Sequence, residues 1–253
     1  MQDKVYCYPR SDVLINRLNI TDPRALFEAE KELTYIRLKE LQDNPIEGNF
    51  DFNHLKEIHR YIFQDLYDWA GKERTVEIGK GNLFCTTACI QDYARSVFDK
   101  YFNQCYASKD NLTNFISVFS ANYGDLNALH PFREGNGRAQ REFARLVCLE
   151  CGYDFDLSVT SHAEMLAASK LSFDKGDNSS FEQIFAQAIS SANDNVERNK
   201  DSLNILTSDD MAIAVGDNYD YYDYTNTCEI NAYNMIYQGK ISRMDAETEQ
   251  KDN

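Results

Sequence analysis

Proline is scarce in this chain: Pro9, Pro23, Pro45 and Pro131 are the four in 253 residues, so long stretches carry no helix breaker. A mostly helical fold is expected. Long apolar runs are lacking too. No stretch of about 18 apolar residues exists, which excludes a helical membrane span. The start, Met1-Gln2-Asp3-Lys4-Val5-Tyr6, has no charged-then-apolar leader pattern. A cytoplasmic protein is expected, with delivery to another cell left open.

Basic residues are outnumbered, 26 Lys+Arg against 41 Asp+Glu, for a net charge of −15. Such a surface repels phosphate backbones and anionic lipid, so neither nucleic acid nor membrane is an expected partner. A local nucleotide pocket is still allowed. Four scattered histidines, His54, His59, His130 and His162, do not make a catalytic zinc site. The seven cysteines are odd in number in a long chain, which argues against a disulfide framework. Cys148 and Cys151 have CxxC spacing without a second pair, and read as buried reduced thiols.

What is present is enough apolar and aromatic material for a packed core, 43% and 13%. Thr21-Asp22-Pro23 reads as a cap and first turn of a helix running to about Leu41, with Leu26, Ala29, Leu33 and Ile36 at helical spacing. Asn44 to Asn49 breaks it. A second helix is expected from Phe52 to Leu66, with Leu55, Ile58, Ile62 and Phe63 on one face. Thr75 to Phe84 alternates and turns on glycines, which predicts a β-hairpin. Helices are expected near 89–106, 112–129, 137–151, 160–171 and 179–196, with Gly152 suiting a helix end. Residues 194–227 are polar, acidic and Tyr-rich, a composition that favours a mobile linker, and 228–240 are weakly helical.

One loop between two apolar helices stands apart: His130-Pro131-Phe132-Arg133-Glu134-Gly135-Asn136-Gly137-Arg138-Ala139-Gln140-Arg141. Gly135 and Gly137 permit close backbone approach. Amides at a helix start form an anion cradle. Arg138 and Arg141, three apart, offer guanidinium forks to phosphate oxygens. Glu134 is a lone carboxylate beside that cradle, which suits Mg²⁺ held by one carboxylate and substrate phosphates. An imidazole titrates near neutrality, so His130 can take a proton from a hydroxyl. Phe132 reads as an anchor into the core. Singly, each of these residues has an ordinary structural reading; together they specify nucleotide chemistry.

The segment resembles the Fic family signature HPFx[D/E]GNGRxxR at every specified position. Upstream, Asn44 to Gly48, Leu55-Lys56-Glu57-Ile58-His59, Trp69-Ala70-Gly71 with Arg74, and Ile78 to Phe84 are similar to that family's order of elements. The resemblance implies a mainly α, Fic-like helical bundle with a short β-hairpin flap and a C-terminal extension. It divides the chain into an N-terminal helical extension (1–43) packed on the core, a Fic domain (44–195) and an acidic extension (196–253) with a possible regulatory role. It implies a protein adenylyltransferase that moves AMP from ATP to a Ser, Thr or Tyr hydroxyl and releases pyrophosphate. His130 would be the general base and Glu134 the Mg²⁺ ligand. Asn136 and the amides of Gly135 and Gly137 would line the anion hole. Arg138 would meet the β/γ-phosphates and Arg141 the γ-phosphate. The flap would clamp an extended target segment, with Lys80 either a nucleotide contact or a solvated hairpin tip.

The kinase-like branch of that family has alanine and lysine where this chain has Gly135 and Gly137, so Gly-Asn-Gly is similar to the AMP-transferring majority. Another nucleotide or phosphate donor, or a non-catalytic nucleotide-binding protein, are the alternatives. The family's inhibitory pattern [S/T]xxxE[G/N] has no full match. Thr225 to Glu229 fits its first part, but Ile230 stands where Gly or Asn is required. That leaves room for a separate small, antitoxin-like inhibitory partner.

Overall fold

The computed structural model describes residues 3–80 and 82–191. The expected acidic extension, including Thr225–Glu229, lies outside the described residues. Asp22 caps α1 (Pro23–Asp43) by accepting the Ala25 amide, and Pro23 occupies the first turn, where a missing N–H costs nothing. The inward face differs from the expected apolar stripe. Leu26, Glu30, Thr34 and Leu41 are buried, whereas Ile36 is 51% exposed. Two polar residues thus point into the molecule, and the site below explains them.

Helix α2 (Phe52–Phe63), capped by Asp51, buries Leu55, Ile58, Ile62 and Phe63 as expected, together with His54 and His59. It packs between α1 and α6 (Asn136–Glu150). The hairpin is shorter than its sequence pattern: β1 (Gly79–Lys80) pairs antiparallel with β2 (Asn82–Leu83). The single helix expected over 89–106 is two, α3 (Ile90–Phe98) and α4 (Tyr101–Ser108). The break buries both Phe98 and Tyr101, and Lys100 beside it reaches Asp125 at 2.5 Å.

Helix α5 (Leu112–Leu129) is capped by Asn111 and buries Phe115, Phe119, Leu126 and Leu129. Burying each such side chain contributes about 1.5–3 kcal/mol. After α6, Gly152 adopts φ +86°, which a side chain would resist. Helix α7 (His162–Lys175) opens with a Ser161/Glu164 capping box. Helix α8 (Ser179–Ala188) stops eight residues before the expected end. There the chain extends into β4 (Ile189–Ser191), which pairs antiparallel with β3 (Tyr153–Phe155), Phe155 opposite Ile189. This second sheet was not expected; its strands are too short to show alternation. Cys105, Cys148 and Cys151 are buried free thiols, as read from the sequence. No described helix is long and apolar enough to cross a membrane.

Candidate active site

The site begins where α5 ends. His130 caps that helix in the left-handed region, φ 40° and ψ 62°, which is uncommon for a side-chain-bearing residue. Its Nδ1 lies 2.8 Å from the Asn127 carbonyl. A carbonyl only accepts, so Nδ1 carries the proton and the lone pair is on Nε2. Phe84, just past β2, stacks on the ring at 3.8 Å and 4°. The imidazole is thereby fixed in both tautomer and plane.

Phe132 anchors the loop as expected, with no exposed surface and its ring 3.8 Å from His59. Asn136 braces the loop across its width: Oδ1 accepts the Phe132 amide and Nδ2 donates to the Phe132 carbonyl, both at 2.8 Å. Its side chain is therefore spent on loop shape, while its backbone begins α6. Gly135 is required twice over. Its φ is +77°, and a Cβ there would sit 2.0 Å from Cζ of Phe63.

Glu134 is buried, and its Oε1 accepts the Gly135 amide at 2.9 Å and Nη2 of Arg138 at 3.1 Å. Its carbonyl accepts from Nε2 of His59 at 2.8 Å, while Nδ1 of His59 accepts the Gly71 amide. Burial pushes the His59 pKa down to about 3; the Glu134 carbonyl opposes this and Arg138 adds to it. His59 is thus a neutral strut under Glu134.

Arg138 lies with its side chain wholly buried. Its Nη2 is 2.6 Å from Oε1 of Glu30 and its Nη1 3.2 Å from the Thr34 hydroxyl. Its guanidinium stands 4.6 Å from the Phe63 ring centre. The Tyr67 hydroxyl donates to the other oxygen of Glu30, and burial raises the Tyr67 pKa well above its ordinary value. One cation therefore stands between two carboxylates. Arg141, one turn on, is half-buried. Gly137, also half-buried, presents its amide in the first turn of α6.

No described group of three or more His, Cys, Asp or Glu side chains could hold a metal by itself. A lone carboxylate beside a helix N-terminus fits Mg²⁺ that takes its other oxygens from phosphate and water. The structure brings His130, Glu134, Gly135, Asn136, Gly137, Arg138 and Arg141 into one loop and helix turn. Lys80 belongs to β1, and its side chain lies outside the described residues. Sequence reasoning missed Glu30, His59 and Phe84 as parts of the site. The signal for Glu30 was present: Leu26, Glu30 and Thr34 recur every four residues, which puts a carboxylate on a buried face.

A Fic/DOC family profile matches residues 49–148. Over 174 residues the chain is 37% identical to the probable protein adenylyltransferase y4lH of Sinorhizobium fredii, an alignment covering 66% of this chain and 86% of that protein. The chain belongs to the Fic/DOC family. The probable protein adenylyltransferase Fic of Escherichia coli is 31% identical over 188 residues, covering 74% of this chain and 92% of the relative. The protein adenylyltransferase VbhT of Bartonella schoenbuchensis is 39% identical over 165 residues, covering 65% of this chain but 34% of that protein. The chain thus matches about a third of that relative's length. The fold is also that of an N-terminal Fic domain from Bartonella quintana, with a TM-score of 0.69 at 22% identity over 79% of this chain and 98% of that one. A Bartonella quintana Fic domain structure with bound ADP has a TM-score of 0.65 at 25% identity and covers 74% of this chain and 94% of that one.

Proposed function

We propose that this Fic/DOC chain is a protein adenylyltransferase, moving AMP from ATP to a hydroxyl of a target protein. The observation that carries the reading is the fixed His130 imidazole, with its Nε2 lone pair, one loop away from the amides that open α6. Relatives at 31–39% identity named protein adenylyltransferase support it.

Nε2 of His130 takes the proton of a Ser, Thr or Tyr hydroxyl as its oxygen attacks the α-phosphorus. The new O–P bond forms while the bond between the α-phosphorus and the bridging oxygen breaks, and pyrophosphate leaves. The α6 N-terminus and Arg141 hold the leaving phosphates, and most of the acceleration is positioning and charge neutralisation. Mg²⁺, held by Glu134, supplies neutralisation of the phosphate charge when bound. Because Glu30 and Glu134 already claim Arg138, it serves the phosphates by orienting Glu134 rather than by gripping them. The target lays an extended segment along the β1–β2 hairpin and gains backbone hydrogen bonds there. A small inhibitory protein is the expected control on such an enzyme.

The test is transfer of label from α-³²P-ATP to lysate protein with Mg²⁺, beside γ-labelled ATP and a His130→Ala variant. Label from the α position, lost in His130→Ala, is the expected result. Label from the γ position overturns AMP transfer in favour of phosphate transfer.

A further inference from the structure

Arg74 is buried, its side chain having no exposed surface, yet it lies outside the loop that carries the proposed chemistry. Its fork is filled from two directions. Nε donates to the carbonyl of His130 itself at 2.8 Å. Nη1 donates to the Val76 carbonyl at 3.0 Å, and Nη2 donates to the Cys85 carbonyl. Val76 and Cys85 are the two feet of the hairpin. The Arg74 backbone amide adds a bond to the Pro131 carbonyl at 2.8 Å.

Charge does not explain this arrangement. The acid facing the guanidinium is Glu77, at 3.5 Å and partly exposed. Its carboxylate is also engaged by the Thr87 amide and hydroxyl, at 3.0 and 2.7 Å. Burial lowers the Arg74 pKa and Glu77 only partly opposes that. A buried cation spent on three backbone carbonyls is costly to place, so the carbonyls it gathers define what it does. They belong to His130 and to both sides of the flap. Two more contacts run across the same seam. The Cys85 amide donates to the Ala128 carbonyl at 3.1 Å, and Phe84 stacks on the His130 ring.

We infer that Arg74 is a positioning residue that holds His130 in its left-handed conformation and ties it to both feet of the target-binding hairpin. This deepens the proposed function and rests on His130 being the base. A guanidinium is needed because its planar fork reaches three carbonyls at once, which an ammonium at one point cannot do. Without it the backbone at His130 loses an acceptor-side bond on its strained residue, and the imidazole drifts from the plane set by Phe84. A misplacement of about 1 Å costs about 100-fold in rate.

The experiment compares wild type, Arg74→Gln, Arg74→Lys and Glu77→Gln by three readouts: α-label transfer, ATP binding, and amide hydrogen exchange. In Arg74→Gln, kcat is expected to fall about 100-fold with KM for ATP within about twofold. Added free guanidinium should restore part of the rate. Exchange should quicken in 76–85 and from the last residues of α5 through 132, but not in α2 or in α5 before residue 127. Arg74→Lys keeps the charge and guards against a variant that fails to fold; it should resemble Arg74→Gln. Glu77→Gln, which leaves the three carbonyl bonds of Arg74 in place, should lose far less kcat than Arg74→Gln. A folded Arg74→Gln or Arg74→Lys with unchanged kcat, or exchange quickened evenly across the molecule, overturns the inference. If wild type transfers no AMP yet the exchange change is confined to those two segments, the proposed function falls and the positioning role stands.

Discussion

Arg138 and Arg141 are spaced three apart in one motif, yet the fold treats them differently. Arg138 is sealed between Glu30 and Glu134, both on Nη2, with Thr34 on Nη1 and the Phe63 ring beneath. Arg141 remains half-buried at the edge of the same helix. Spacing alone makes them look like a matched pair of phosphate forks. The difference comes from α1, which brings a carboxylate to one of them from 108 residues away in the chain. A guanidinium already neutralised has little charge left to offer a nucleotide, and on the proposed reading Arg138 builds the site while Arg141 meets the phosphates.

The largest effect should separate the two arginines directly. Arg138→Ala leaves Glu30 and Glu134 buried without their shared cation, a loss of about 3–5 kcal/mol. Chemical denaturation should find this variant largely unfolded or sharply destabilised. Arg141→Ala should lose clearly less stability than Arg138→Ala in the same assay and lose ATP affinity as well. Equal stability losses in the two variants would erase the distinction.

The motif itself was fully legible in the sequence, because a contiguous loop keeps its chemistry in order. So were the start of α1, where Asp22 accepts an amide by local rules, and the span of α5; α7, expected over 160–171, instead runs to Lys175. What was not legible depends on distant packing. Ile36 looked like core and is exposed, because α1 turns Glu30 and Thr34 inward to meet Arg138. His59 stood out only as one of four scattered histidines, and it carries the backbone of Glu134 through a bond 75 residues long in sequence. The β3–β4 pair escaped for the same reason, since each strand has three residues and pairs only across the fold.

The closed side should also respond to acid. His59 is held neutral in the folded protein down to about pH 3. An unfolded histidine takes a proton near its ordinary pKa of about 6.5. Between those values the unfolded chain binds the extra proton, so stability falls as pH drops. At pH 5 the loss from this group is about 2 kcal/mol. His59→Gln removes the titration while keeping a donor for the Glu134 carbonyl, so its stability should change less between pH 7 and 5 than that of wild type. An identical slope in both proteins would remove His59 as the acid-sensitive strut.

The smallest effect tests how tightly the sealed arginine is held. The Thr34 hydroxyl donates to the Glu30 carbonyl at 2.7 Å and accepts from Nη1 of Arg138 at 3.2 Å. Thr34→Val keeps the shape and the β-branch but deletes the acceptor. A buried N–H of Arg138 then loses one partner, at a cost of about 1 kcal/mol. Glu30 and Glu134 still flank the guanidinium, so Glu134 should stay in place. Thermal unfolding should report a small drop, and KM for ATP should not move. A marked rise in that KM with little loss of stability would mean that Arg138 reaches the nucleotide after all, and that the two motif arginines differ less in role than in burial.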